Sequence, residues 1–470
     1  MSTKALDELK ALLGPDGFIV NLSDMEPYLT SMRNRHVAQS PLIVFPTTTE
    51  QVSSIVKICN HYNLPISPQG GNTGLVDGGI PSPSGNEIIV SLSRMNKIRG
   101  IDPVGAIMTV EAGAILQNVQ NAAAEAGFLF PLSMASEGSM QIGGAIGTNA
   151  GGTAVLRYGN TRNLVLGVEA VLPDGAIISS LRKLVKDNTG YNLTQLFVGA
   201  EGTLGIVTAA TLRLFQAQKQ VFTAVVAVPN AEAALKLFRQ FRSEGGEYLT
   251  TFEIMSLSAI QLVIKHIPGA RFPGKEGSPH YLLIELASSS EVIPLAKLFE
   301  VVVTAAIEKG DVTDAVIAES EMQAKQFWHV REHIPDALRK QGNRIHFDIS
   351  LPLAAIADFL MDTEKRIKDE ATDIMPIPFG HIGDGNLHYN MYVTALRSSD
   401  DFAALKERIQ SIVFGEVERH QGSISAEHGI GIEKKAILAK LKSPIELDVM
   451  RCIKKALDPN ALMNPGKIFD

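Results

Sequence analysis

The chain of 470 residues contains only two cysteines, Cys59 and Cys452, and no CxxC pair. Thiolate-ligated zinc and redox dithiols are thereby excluded, and the count fits a reducing compartment. No uninterrupted apolar run reaches membrane-spanning length, which excludes an integral membrane protein of the helical kind. The first ten residues carry acids early and no long apolar stretch, so they read as neither a secretory nor a transit peptide, and the cytoplasm is the expected location. Basic residues are outnumbered, 43 against 50, for a net charge of −7, so nucleic acid is not expected as a partner. Internal repeats and low-complexity tracts are missing. So are a Rossmann GxGxxG between strand and helix and a Walker GK[ST] loop.

What is there is glycine, 40 residues of it, gathered at 70–79, 143–152, 199–205 and 429–431. Such loops approach something closely, because glycine permits backbone geometries that other residues avoid. The run Gln69, Gly70, Gly71, Asn72, Thr73, Gly74 can turn successive backbone N–H groups one way and form a nest for phosphate oxygens. A surface turn is the plainer reading of that run alone. Three such loops in the first half of the chain together fit a groove for an extended cofactor.

Length alone predicts two or three domains. Strand-like and helix-like pieces interleave up to about residue 214. From about 219 the order becomes strand (221–228), helix (231–242), strand (280–286) and helix (293–308), the pattern of a ferredoxin-like sandwich. The expected division is 1–218, 219–422 and a C-terminal segment 423–470 returning to the first domain.

Seven of the 11 histidines lie between 329 and 428. His381 and His388 flank a turn, and His388 and Asn390 are spaced to share one face of a strand. With Glu427 they make a set of two histidines and one carboxylate, which leaves metal positions open and so suits catalysis. Histidines that hydrogen-bond without a metal are the alternative. His428 is a candidate base, since imidazole titrates near neutral pH. The stretch His329-Val330-Arg331-Glu332-His333 also matches the inverted zinc-peptidase motif, a pattern short enough to arise by chance.

The segments PQGGNTG (68–74), IGGAIGTNAGG (142–152), TGYNLTQLFVGAEGTLGIVT (189–208), GHIGDGNLHYN (380–390), SAEHGIG (425–431) and NPGK (464–467) span nearly the whole chain. In this order the sequence resembles the FAD-binding oxidoreductases of the vanillyl-alcohol oxidase (p-cresol methylhydroxylase-like) superfamily. Within it the likeness is to the D-lactate and D-2-hydroxyglutarate dehydrogenase branch. The resemblance implies an α+β fold, with a two-subdomain FAD-binding domain and a ferredoxin-like antiparallel-sheet substrate domain. It implies FAD held at its pyrophosphate by Gly70 to Leu75. Ser139, Gly143, Gly144, Thr148, Asn149 and Gly152 would line the flavin and ribityl chain. Glu201, Gly205 and Ile206 would pack on the adenine half, with loop capping as the alternative for Glu201. Asn464 would return to the flavin.

The same resemblance implies a divalent cation, usually zinc, on His381, His388 and Glu427. It implies that His428 removes the hydroxyl proton of a 2-hydroxy acid while hydride leaves C2 for flavin N5. Arg331 would bind the substrate carboxylate, a surface ion pair being its alternative. Asn390 would donate to that carboxylate or orient His428, or serve only as a strand-edge amide. The hydroxyglutarate pattern has a threonine where Pro335 stands and a lysine where His346 stands, so a distal carboxylate is not assured and D-lactate stays open. Quinone, cytochrome and electron-transfer flavoprotein are all open as electron acceptors, and a homodimer is compatible with the sequence. A metal-free oxidase using O₂ and a non-catalytic FAD-binding subunit are the competing readings.

Overall fold

The computed structural model describes residues 3–33, 37–275 and 277–469. These form two compact units, one of the described residues within 3–152, 159–217 and 427–469, the other of those within 153–158 and 218–426.

The first unit holds two main sheets. The smaller orders the strands Phe18–Ile19, Ile43–Val44, Ile88–Ser91 and Ile66–Gln69, the last three parallel. The larger is antiparallel and orders Ile98–Asp102, Ile107–Glu111, Ile206–Arg213, Val165–Val171 and Ile177–Ser179. The helix Thr49–His61 packs Val52, Ile55, Val56 and Cys59 on one face, as their spacing demands. Its start departs slightly from a simple capping box. Thr48 accepts from Gln51 N–H at 3.2 Å, but the Gln51 carboxamide accepts from Thr47 N–H at 2.7 Å, one residue further back.

The second unit is built on one antiparallel sheet. Its first strands in space are Asp314–Ile317, Gln220–Val228, His280–Ser288 and Leu249–Ser256. With helices Ala231–Gly245 and Leu295–Glu308 as its two crossovers, this is the ferredoxin-like arrangement expected. The strands Ile374–Gly380, Asn386–Val393 and the short Arg344–Ile345 and Asp348–Ser350 extend it.

Alternation along the strands decides what each face carries. Phe252 meets Phe238 and Phe241 of helix Ala231–Gly245 at ring-centroid distances of 5.1 and 6.3 Å. The residues on either side of it in the pleat point the other way. Met255, Tyr281, Leu283, Ile377 and Phe379 build a core with helices Leu257–His266, Glu321–Glu332 and Ile334–Gln341. Glu253, two residues from Met255, lies on that second face.

The division differs from the expected one at two places. Residues 153–158 join the second unit because Thr251 Oγ1 donates to the Thr153 carbonyl at 3.2 Å and Arg157 to that of Ala287 at 2.8 Å. Residues 423–426 also belong there, since Ser423 and Ser350 exchange backbone hydrogen bonds of 2.7 and 3.0 Å. The C-terminal return therefore begins at Glu427 rather than at 423. Among the described residues no helix is long and apolar enough to cross a membrane.

Candidate active site

In the first unit the three glycine loops are fastened by side chains that flank them. Asn72, left-handed at φ 52°, donates from its amide to the carbonyls of Pro27 and Thr30 at 3.1 and 2.8 Å. Gln69 Nε2 donates to the carbonyls of Tyr28 and Gly79. Gly71 passes so near Ser139 that a Cβ would sit inside its carbonyl oxygen, and Gly143 is pressed against Ala112. Thr148 Oγ1 donates to the Gly144 carbonyl at 3.1 Å, and Asn149, at φ 50°, ends the helix Ile142–Thr148 and accepts from Arg162 N–H. Gly152 approaches Ser133, Gly205 packs on Val171 and Phe197, and Ile206 begins the central strand of the larger sheet.

These loops fit an extended, phosphate-bearing cofactor. A Cβ built on Gly74 or on Gly144 meets no atom within 4 Å, so both stretches of backbone face open space. The buried Gln69 Oε1 and Gln141 Oε1 have no hydrogen-bond partner among the described residues. Orphaned buried acceptors are rare and point to an absent donor.

Glu201 and Asn464 both turn their side chains to backbone groups of this unit. The Glu201 carboxylate does not reach outward. It accepts from the backbone N–H groups of Ile430 and Gly431 at 2.7 and 2.8 Å, so the loop-capping alternative holds. Burial raises its carboxyl above the ordinary value, and the two N–H donors offset part of that. The Asn464 amide is also spent inside the unit, on the carbonyls of Gly78 and Glu201 at 2.9 and 2.6 Å. Glu427 and His428 are half-buried in the same unit.

The second unit brings together Arg331, His381 and His388. His388 and Asn390 share one face of the strand Asn386–Val393, opposite Phe379 and Ile377. The His381 and His388 rings lie 5.5 Å apart between centroids. Asp348 is across from His388 in the sheet, with carboxylate and Nδ1 3.9 Å apart, and Asn386 Nδ2 donates to Asp348 at 3.0 Å.

The residue that organises this group is one that sequence reasoning missed. Glu253 is 1% exposed. One of its oxygens takes Arg331 Nε and Nη2, each at 2.7 Å, and the other is hydrogen-bonded to His381 Nδ1. Burial opposes its charge, but Arg331 and His381 outweigh burial and hold the carboxyl down at about 2. Arg331 is itself buried and stacks over Phe379 at 4.9 Å. The ion pair that Arg331 makes with Glu253 is therefore buried and not a surface one. Glu285 lies nearby on the same face, its Oε1 accepting from Trp328 Nε1 and Thr223 Oγ1, both at 2.8 Å. The signal for both acids was a lone carboxylate inside a strand with no other acid or Lys/Arg.

Two other groupings in this unit serve structure. His333 Nδ1 donates to the His329 carbonyl at 2.8 Å, and among the described residues no third ligand gathers with the pair. Asp362, Glu416 and His420 converge, but Arg366 and Arg419 are threaded between them and neutralise the acids.

Residues 217–468 match the family described as FAD linked oxidases, C-terminal domain, and residues 40–180 match the FAD binding domain. The chain belongs to the FAD-linked oxidase family. It is similar to a mitochondrial D-2-hydroxyglutarate dehydrogenase of Arabidopsis thaliana, 37% identical over 100% of this chain and 82% of that one. It is equally similar, at 37%, to a mitochondrial protein of Schizosaccharomyces pombe whose name assigns D-lactate dehydrogenase provisionally, over 99% of this chain and 90% of the other. Among solved structures, p-cresol methylhydroxylase with substrate bound superposes with a TM-score of 0.78 at 18% identity, over 99% and 96% of the two chains. The expected α+β fold is therefore borne out, and the chain is an FAD-dependent oxidoreductase.

Proposed function

We propose that the chain oxidises a D-2-hydroxy acid, such as D-lactate or D-2-hydroxyglutarate, to the 2-oxo acid. The observation that carries this reading is the buried arginine held ready by Glu253 beside His381. It occurs in a chain matched end to end by relatives named for such substrates.

FAD would be held by the glycine loops, with Gly70 to Leu75 at the pyrophosphate. A divalent metal, zinc by preference, would be held by His381, His388 and Glu427. When bound, FAD supplies the acceptor for the hydride leaving C2, and the metal supplies positive charge that eases ionisation of the hydroxyl. The donor chemistry suits a metal, because the Glu253 carboxylate fixes His381 through Nδ1 and so selects Nε2 as the ligating nitrogen.

The chain's own residues do the rest. Glu253 grips the Nε and Nη2 edge of Arg331 and so aims the remaining edge of the guanidinium at the substrate carboxylate. His428 takes the hydroxyl proton on a ring nitrogen. Asn390 donates its amide to the same carboxylate. Pro335 is exposed in the first turn of helix Ile334–Gln341 and has no side-chain donor to offer a distal carboxylate. The substrate test therefore spans mono- and dicarboxylates. The electron acceptor would be a quinone, a cytochrome or an electron-transfer flavoprotein.

The test is a dye-reduction screen of D- and L-2-hydroxy acids on the purified holoprotein, with and without chelator. Reduction by a D-isomer and none by its L-isomer is expected. Absence of turnover with every D-2-hydroxy acid sinks the reading. Full activity after verified metal removal sinks the metal alone and favours a metal-free oxidase.

A further inference from the structure

Glu201 stands in the first unit at a backbone position where its own side chain is a disadvantage. Its φ is 50°, left-handed, within a loop whose Gly199, Gly202 and Gly205 also take positive φ. A glycine at 201 would relieve the strain that a glutamate bears there. The side chain is nonetheless kept, folded inward and only 9% exposed. Both of its oxygens are committed, one to Ile430 N–H and one to Gly431 N–H.

Those two residues follow directly on His428 and Gly429. Backbone hydrogen bonds hold the loop as well. Ile432 N–H donates to the Val76 carbonyl at 2.9 Å, and Ile468 N–H to that of Gly431 at 3.0 Å. On the N-terminal side of His428, Glu427 lies against Gly151 of the second glycine loop, where an added Cβ would be 2.9 Å from its carboxylate. Asn464 closes the other side of the hub. It donates to the Glu201 carbonyl at 2.6 Å and to that of Gly78 at 2.9 Å, and its own N–H bonds to the Ile66 carbonyl. One strained carboxylate residue thus ties together the 70–79 loop, the 199–205 loop, the loop after His428 and the C-terminal segment.

We infer that Glu201 is a positioning residue for His428, setting the height of its loop over the glycine loops, rather than a contact to FAD. This rests on the reading of His428 as the base. A carboxylate suits the task because it offers two strong acceptors and no donor to two adjacent N–H groups. A glutamine would keep at most one of the two bonds and turn an N–H donor against the other N–H.

The test uses the FAD-loaded protein and the variants Glu201→Gln, His428→Ala and the double variant. Three quantities are read: FAD per chain, hydrogen exchange of the 429–432 amides, and flavin reduction by a D-2-hydroxy acid in rapid mixing. Glu201→Gln is expected to retain FAD and exchange these amides faster. It should reduce its flavin more slowly by about tenfold to a hundredfold, the penalty of a misplaced group. Acting through His428, it should slow the His428→Ala background by less than about twofold.

Loss of FAD with normal reduction in the loaded fraction makes Glu201 a cofactor contact and overturns the inference. So does an additive loss in the double variant, or normal exchange and normal reduction in Glu201→Gln. Near-normal reduction by His428→Ala removes the base, and with it this role. The exchange data then still report whether Glu201 holds the loop, so the two failures are told apart. If Glu201→Gln does not fold, Gly429→Ala replaces it, since its Cβ would stand 2.8 Å from Glu201 Oε1 and push loop and carboxylate apart. The same pattern of outcomes decides.

Discussion

Glu253 and Arg331 form an ion pair sealed inside the second unit, with Arg331 Nε and Nη2 each 2.7 Å from a single carboxylate oxygen. The second oxygen holds His381. A buried pair of this kind contributes less by existing than it costs when half of it is removed. Glu253→Ala leaves a guanidinium buried without a counter-charge and is expected to destabilise the protein by about 3–5 kcal/mol. Replacing both partners with apolar residues, as in Glu253→Leu with Arg331→Met, should recover much of that while abolishing turnover. Urea midpoints of the three proteins decide the matter. An unchanged midpoint for Glu253→Ala would mean that the pair carries no stability.

Glu285 provides the pH prediction. Burial, with the nearby Glu253 charge adding to it, raises its carboxyl above the ordinary 4.5. A raised folded-state value favours the protonated form in the native protein. The stability it lends is complete below the ordinary value and is lost as pH rises through the raised one. Glu285→Gln keeps the single oxygen that accepts from both Trp328 and Thr223 and removes the buried charge. The variant should be at least as stable as the parent at neutral pH, and its advantage should grow as pH climbs from about 4 to 7. Melting temperatures measured across that range test this. A variant clearly less stable than the parent at pH 7 would falsify it.

Much of this was legible because it is encoded locally. The alternation that placed His388 and Asn390 on one face needs only neighbouring residues. The glycine loops announced close approach, and helix Thr49–His61 announced its buried face. What was not legible depends on partners far apart in sequence. Nothing around Glu253 names Arg331 or His381, which lie 78 and 128 residues on. The transfer of 153–158 to the second unit likewise rests on a hydrogen bond from Thr251, 98 residues away. Glu201 was read through its family role, whereas its left-handed backbone and inward carboxylate appear only in three dimensions.

The proposed metal set, His381, His388 and Glu427, makes a prediction that is independent of turnover. Elemental analysis of the purified protein should find about one divalent ion per chain, as expected for a three-ligand catalytic site. His381→Ala and His388→Ala should each lose the ion while keeping FAD. Glu253→Gln should weaken metal retention by roughly tenfold to a hundredfold through the orientation of His381. Stoichiometric metal in His388→Ala would remove that histidine from the set.

The two glycines of the first loop separate packing from cofactor contact. Gly71 lies against the Ser139 carbonyl, so a Cβ there collides with the protein itself. Gly71→Ala should therefore lower the melting temperature and FAD content together, by forcing the 70–75 and 139–144 segments apart. Gly74 meets no protein atom within 4 Å of an added Cβ. If its backbone faces the pyrophosphate, Gly74→Ala should leave the cofactor-free protein as stable as the parent yet bind FAD about tenfold or more weakly, a difference of roughly 1.4 kcal/mol. Reconstitution of the stripped protein, followed by flavin absorbance and fluorescence, measures the affinity. Melting the same preparation without FAD supplies the control. Equal FAD affinity for Gly74→Ala and the parent would take the phosphate away from this loop, even though the loop remains tightly built through Asn72 and Gln69.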